Sequence, residues 1–72
     1  MKKIKKIKIK INGKYKLIPN NYKIHNLIKK MKIPINKVAI EINQEIIDKK
    51  KLNRIKIRQN DKIEIVHFIG GG

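Results

Sequence analysis

The chain ends in Gly70, Gly71 and Gly72, which leave its terminal carboxylate without a neighbouring side chain. Because glycine has no Cβ, we expect a narrow, flexible thread that can enter a partner's active site where a larger residue would clash. The α-carboxylate has a reference pKa of about 3.3–3.7, so it is ionised at neutral pH and able to attack a phosphoanhydride. A glycine-rich end alone is weak support for a functional C-terminal carboxylate, because many chains end in disorder. It is stronger here because it directly follows a predicted strand.

The other ionisable side chains do not form a recognisable catalytic set. The carboxylates are Glu41, Glu45, Asp48, Asp61 and Glu64. They alternate with apolar strand residues or lie in turns, so we interpret them as solvated surface charges. His25 and His67 lack a clustered partner and are more typical of structural histidines than of ligands. With no cysteine, no glycine-rich phosphate loop and no nucleophile–base pair, the sequence predicts a protein that is not an enzyme and binds no cofactor or metal.

The net charge of +15 would suit a nucleic-acid-binding protein. Lysine outnumbers arginine 18 to 2, however, whereas phosphate and base readers favour the planar fork of arginine. Lysine, isoleucine and asparagine occur 18, 18 and 8 times and all have A/T-rich codons. We therefore favour codon bias over specific nucleic-acid binding, while charge alone still gives some nonspecific affinity.

Two strands joined by a tight turn are predicted near the N terminus. Lysine and isoleucine alternate strictly over residues 6–11, which is typical of a half-buried strand. Asn12-Gly13 is the strongest short signal for a hairpin turn, and residues 14–18 resume the alternation until Pro19 removes a backbone donor. Residues 1–5 are expected to be a frayed extension.

One helix is predicted after the hairpin, over about residues 22–31. Its apolar residues recur at helical spacing with lysines on the opposite side. We expect the Asn20-Asn21 pair to cap its N terminus, and Pro34 prevents its continuation.

Three further strands are predicted in the second half of the chain. Residues 38–42 alternate in period two, and Asn43-Gln44 forms a turn into a short strand at 45–47. A turn at residues 59–61, with Asn60 in the left-handed conformation, leads into the last strand at 62–68.

This order of elements predicts an α+β fold, with one helix packed on one face of a sheet. A chain of 72 residues allows one domain, which we place at 1–72 with a flexible tail at 69–72. A domain this small buries only about 60% of its unfolded surface, which favours a binding or carrier role. No apolar stretch reaches the roughly 18 residues of a membrane span, and the basic N terminus is unlike a secretory signal.

Several stretches together resemble the sulfur-carrier proteins of thiamine biosynthesis, the ThiS family of the ubiquitin-like superfamily. The stretches are Val38-Ala39-Ile40-Glu41-Ile42-Asn43, Glu45-Ile46-Ile47, the Asp61 turn and Glu64-Ile65-Val66-His67-Phe68-Ile69-Gly70-Gly71-Gly72. The resemblance covers about residues 7–72 and implies a β-grasp fold, in which one helix packs on a mixed sheet. The chain departs from the family at Gln44 and Asn60, where glycine is usual, and at Lys23, where Thr or Ser often opens the helix.

The resemblance also implies a reaction cycle in which this chain is a co-substrate. An E1-like adenylating enzyme would activate the Gly72 carboxylate with ATP, which the partner consumes. Sulfur from a cysteine desulfurase relay would then replace AMP and leave a thiocarboxylate. Thiazole synthase would take that sulfur to build the thiazole ring. Gly70 and Gly71 would thread the tail into the partner's site.

Partner docking is expected on the sheet face opposite the helix. Ile63 and Ile65 match the inward phase of the family's fold, so Val66 and Phe68 should lie on the open face near the tail, followed by Ile69. Exposed apolar residues there would form a docking patch.

Three lysines of the first strand are expected to flank that patch. Lys6, Lys8 and Lys10 alternate with inward isoleucines, and in the β-grasp arrangement the first strand lies beside the last. A basic rim would speed encounter with an acidic partner.

Three alternatives stay open from the sequence. They are the small subunit of molybdopterin synthase, a ubiquitin-like modifier that forms isopeptide bonds, and a basic nucleic-acid-binding module. The His67-Phe68-Ile69 lead into the glycines favours the thiamine carrier. We expect neither a membrane nor a specific nucleic acid as partner, and a location in the cytoplasm or in the stroma of an organelle with an A/T-rich genome.

Overall fold

The computed structural model describes residues 5–68, and every element below lies in that range. The strands are β1 Lys6–Ile11, β2 Lys14–Pro19, β3 Val38–Ile42, β4 Glu45–Ile46 and β5 Lys62–His67. The helix α1 spans Ile24–Lys30, and 3-10 turns occur at Ile35–Lys37 and Lys49–Lys51. No helix in the described part of the chain has the length and apolar character to cross a bilayer. The predicted tail lies outside the described residues, as does nearly all of the predicted extension.

The described strands form one mixed sheet in the order β2-β1-β5-β3-β4. β1 and β5 are parallel, with Lys10 opposite Lys62, whereas the other neighbouring strands are antiparallel. The last strand in sequence therefore occupies the centre of the sheet. The predicted α+β fold, with one helix on one face of the sheet, is confirmed.

The core lies between α1 and the face of the sheet that it covers. Ile9, Ile40 and Ile63 point into it from the three central strands, and Ile24 and Leu27 from the helix. Full burial of such a side chain contributes roughly 1.5–3 kcal/mol. Among the described residues, every buried side chain is apolar. The isoleucine at every second strand position therefore decides which face is covered.

The helix begins later than predicted, at Ile24, and the Asn20-Asn21 pair does not cap it. Lys23 pairs with Lys56 in an isolated antiparallel bridge, so the backbone before the helix is held by tertiary pairing. The Asn26 side chain performs the capping, because its Oδ1 accepts a hydrogen bond from the Lys23 N–H at 2.8 Å. Pairing with a distant segment overrides the local capping signal here.

Two hairpin turns have positive φ at both central residues, the geometry of type I′ turns. The φ angles are 49° and 82° at Asn12 and Gly13, and 51° and 73° at Asn43 and Gln44. The predicted left-handed conformation of Asn60 is confirmed by its φ of 70°. Gln44 is the least suited of these residues, because a left-handed conformation costs an ordinary side chain roughly 1–2 kcal/mol.

We expect Gln44→Gly to stabilise the protein. Relief of the left-handed strain exceeds the roughly 0.5–1 kcal/mol of extra entropy that glycine loses on folding, so the net gain should be about 0.5–1 kcal/mol. Urea unfolding followed by circular dichroism measures this. Glu45→Gly, at the next residue in an extended strand, is the control and should destabilise. An equal loss of stability in both variants would contradict the strain at Gln44.

Candidate functional site

The strand β5 is the last element of the described chain and precedes the glycine tail in sequence. Its pairing with β3 extends one residue further, since the Phe68 N–H donates to the carbonyl of Lys37 at 2.9 Å. Ile69, the threading pair Gly70-Gly71 and the predicted sulfur-bearing Gly72 follow at once and lie outside the described residues. Their roles stay predictions.

The side chains of β5 alternate between the core and the open face. Ile63 and Ile65 are 1% and 7% exposed, whereas Val66 and Phe68 are 50% and 52% exposed. The structure thus places Val66 and Phe68 on the face opposite α1, as predicted from their alternation with Ile63 and Ile65 and from the family resemblance. Their contact with a partner stays a prediction.

The exposed apolar residues at the end of β5 have one neighbour on β3. Ala39 is paired with Val66 in the antiparallel register, so it shares the open face. We call Ala39, Val66 and Phe68 the C-terminal patch. The Nζ of Lys49 lies 5.1 Å from the centre of the Phe68 ring, a cation–π contact that brings a positive charge to the edge of the patch.

The expectation that Lys6, Lys8 and Lys10 flank this patch is wrong. The parallel register sets Lys10 opposite Lys62, which is four residues before Val66 and therefore about 13 Å away along the strand at about 3.3 Å per residue. Because β1 and β5 run in the same direction, Lys8 and Lys6 are farther still. Adjacent strands were predicted, but their register was not.

Two of these lysines contact an aromatic ring of β2 instead. The Nζ atoms of Lys8 and Lys10 each lie 4.9 Å from the centre of the Tyr15 ring, which is exposed on the same open face. The open face therefore carries a basic cluster with Tyr15 over β1 and β2, separate from the C-terminal patch. Contact of these lysines with a partner stays a prediction.

Asn12 fixes the position of β5 beyond the end of β1. Its backbone N–H donates to the carbonyl of Ile63 at 2.9 Å. Its side-chain Oδ1 accepts from the Ile65 N–H at 2.8 Å, and its Nδ2 donates to the Ile65 carbonyl at 3.3 Å. Sequence reasoning identified Asn12 only as a turn residue, because a bond to a residue 53 positions away leaves no local signal.

Asn43 has the matching role at the start of β5. Its Oδ1 accepts from the Lys62 N–H at 3.0 Å, and its Nδ2 donates to the Asp61 carboxylate at 3.0 Å. The other oxygen of that carboxylate accepts from the Arg58 N–H at 2.8 Å. Asp61 is therefore bonded into the turn before β5, which agrees with its predicted place in a turn.

The remaining polar residues are not assembled into a reaction centre in the described part of the chain. No group of three or more His, Asp or Glu side chains is placed there to hold a metal ion. The Nε2 of His25 lies 3.4 Å from the Nδ2 of Asn26, and the side chain of His67 is exposed at the end of β5.

The chain matches the model of the ThiS family over residues 9–72. It is 35% identical over 65 residues to the sulfur carrier protein ThiS of Bacillus subtilis (strain 168), covering 89% of this chain and 98% of that protein. It is also 35% identical over 66 residues to a thiazole synthase of Paramagnetospirillum magneticum. That match covers 92% of this chain but 20% of the synthase, so the chain spans about a fifth of that relative's length.

A solved structure of the thiamine biosynthesis protein ThiS from Geobacter metallireducens has a similar fold. It superposes with a TM-score of 0.81 and covers 92% of this chain and 100% of that chain, at 22% identity. The mixed sheet and helix described above therefore have the β-grasp fold that the sequence resemblance implies.

We expect Phe68→Ala to lower the free energy of unfolding by less than about 1 kcal/mol, because half of the side chain is in solvent. Ile65→Ala, three residues earlier and facing the core, should cost about 2–5 kcal/mol. Urea unfolding of both variants measures the difference. A loss at Phe68 as large as that at Ile65 would show that Phe68 packs within its own domain.

Proposed function

Because the chain belongs to the ThiS family, we propose that it is a sulfur carrier of thiamine biosynthesis, with Gly72 as the residue that carries the sulfur. The observation that carries this proposal is the end-to-end match to the Bacillus carrier, together with a family match that includes the terminal glycines. The glycine tail at the end of a central strand supports it, because a carrier needs a chain end that reaches into other active sites.

The proposed cycle proceeds through one substitution at the α-phosphorus of ATP and a second at the Gly72 carbonyl. A carboxylate oxygen attacks the α-phosphorus of ATP in an E1-like enzyme, pyrophosphate leaves, and an acyl-adenylate forms. The terminal sulfur of a persulfide from a cysteine desulfurase relay then attacks the carbonyl and AMP leaves, which forms an acyl disulfide. A second thiol of the partner attacks the relay sulfur of that S–S bond, so the thiocarboxylate is released and the two partner thiols remain as a disulfide. The adenylate is needed because an ionised carboxylate is a poor electrophile.

The chain itself contributes position and access in this cycle, and the partners contribute the catalytic groups. Gly70 and Gly71 add no side-chain volume, so the tail can pass through a narrow channel to the nucleotide. The C-terminal patch would contact the partner's surface just before the tail enters. In this proposal the protein acts as a co-substrate and is not itself an enzyme.

Thiazole synthase is the proposed acceptor of the sulfur. A relative that bears this name contains, within one polypeptide, a segment that matches nearly all of this chain. A carrier and its acceptor that share one chain in that organism support an encounter between separate chains here. We further propose that residues 1–72 act as one domain, in the cytoplasm or in an organelle stroma.

We expect deletion of Gly72 to abolish ATP–pyrophosphate exchange by the adenylating enzyme, because the carboxylate then ends one residue short of the nucleotide. The fold should be unchanged, since the core residues all come from the elements before the tail. Circular dichroism and thermal melting provide the control. Undiminished exchange by the shortened protein would refute the proposed role of Gly72. Mass spectrometry of the protein from cells should also show replacement of one oxygen by sulfur.

We expect Lys49→Glu to slow association with the adenylating enzyme several-fold more than Lys8→Glu does. Lys49 contacts the C-terminal patch, whereas Lys8 lies over Tyr15 in the basic cluster on β1 and β2 of the same face. Stopped-flow association rates across a salt series measure this, and the difference should shrink at 0.15 M salt, where the screening length is about 8 Å. Equal association rates for the two variants at low salt would show that the positions of these lysines do not influence docking.

A further inference from the structure

The backbone groups of β5 alternate in direction, and the observed hydrogen bonds identify the direction of each. Phe68 donates to Lys37 on the side of β3. Ile63 and Ile65 instead bond to Asn12 on the side of β1. In a strand, residues two apart point their backbone groups the same way. The N–H and C=O of His67 therefore point away from β3, toward the side of β1.

Among residues 5–68, no backbone or side-chain group forms a hydrogen bond with His67 on that side. The parallel pairing of β1 with β5 covers Lys10–Lys62 and Ile11–Ile63, after which the chain turns back at Asn12-Gly13. The Asn12 amide extends the pairing to Ile65 and reaches no further. Within residues 5–68, a short strand edge thus remains open at His67, between the hairpin tip and the start of the tail.

The edge of the sheet formed by β2 is less suited to the addition of a strand. The outer strand β2 turns the backbone of Tyr15, Leu17 and Pro19 outward, because the alternate residues bond to β1. Pro19 has no N–H, and lysines precede and follow Tyr15 at positions 14 and 16. Lysine and proline on an edge strand discourage the addition of another strand. The edge at His67 is shorter, but it adjoins the C-terminal patch and the tail.

We propose that an extended segment of the adenylating partner pairs with the backbone of His67 and adds a strand to the sheet. This inference rests on the proposed function and extends it to the way in which the tail is aligned. The hydrogen bond from Phe68 to Lys37 fixes the chain on the side of β3. The added strand would bond to His67 and fix the chain on the side of β1. A chain held on both sides leaves the sheet extended, which is the conformation that a thread requires to reach a nucleotide. The occupant is recognised by backbone groups, as in other cases of strand addition.

Amide hydrogen exchange on the complex with the adenylating enzyme, without ATP, tests the pairing directly. In the free protein the His67 amide should exchange rapidly and the Ile65 amide slowly, because only the latter is bonded to Asn12. In the complex the His67 amide should slow at least tenfold. The Leu17 amide at the other edge should not change. Unchanged exchange at His67 in a saturated complex would overturn the inference.

A proline variant tests the contribution of the same bond to binding. We expect His67→Pro to bind the adenylating enzyme about tenfold more weakly than His67→Ala, because proline lacks the N–H while both variants lack the imidazole. Leu17→Pro is the matched control for a proline on an exposed strand edge. Slow exchange of the Phe68 amide in each variant verifies that β5 is still paired with β3.

The outcomes separate this inference from the function on which it rests. If the wild-type protein supports no ATP–pyrophosphate exchange with the enzyme, the proposed function fails. If the wild type supports exchange and His67→Pro binds as tightly as His67→Ala, the carrier function stands and the added strand is refuted.

Discussion

Two asparagine side chains hold β5 in place where its neighbouring strands do not. A side-chain amide has a donor and an acceptor in nearly the arrangement of a peptide group, so it can substitute for a residue of a missing strand. Asn12 does this for Ile65, and Asn43 bonds the N–H of Lys62 at the other end of the strand. Without these bonds, backbone groups in the middle of the sheet would lack partners, which is costly wherever water is excluded. The position of β5 between β1 and β3 therefore depends on these two side chains as well as on strand pairing.

The same two residues explain the choice of turn. A type I′ turn requires positive φ at both central residues, and asparagine accepts that conformation better than most side chains do. The left-handed backbone at Asn12 and Asn43 also accompanies a side-chain amide that bonds to β5. Turn geometry and strand anchoring are thus supplied by one residue at each end. Glycine at either position would keep the turn and its backbone bond to β5 but lose the side-chain bonds.

The alternation of apolar and polar residues predicted much of the fold and separated the exposed Val66 and Phe68 from the buried residues of β5. Period two separated the two faces of β1 and β5, and the resemblance to the ThiS family assigned Ile63 and Ile65 to the core and Val66 and Phe68 to the open face, as the structure confirms. The errors all concern non-local pairing. The helix begins late because Lys23 pairs with Lys56, and Lys6 lies far from Phe68 because the two strands are parallel in a particular register. Periodicity carries no information about register between segments at opposite ends of the chain, so the sequence alone could not place the lysines.

The central position of the last strand has a consequence for the synthesis of the protein. Asn12 and Ile65 are 53 residues apart, so the middle of the sheet forms by closing nearly the whole chain into a loop. The entropy of that closure must be offset by contacts that exist only after β5 has emerged from the ribosome. A chain that terminates early lacks the strand between β1 and β3 and cannot complete its core. Only chains that include β5 can then fold, so the strand that precedes the glycine tail in sequence is also the one whose synthesis completes the core.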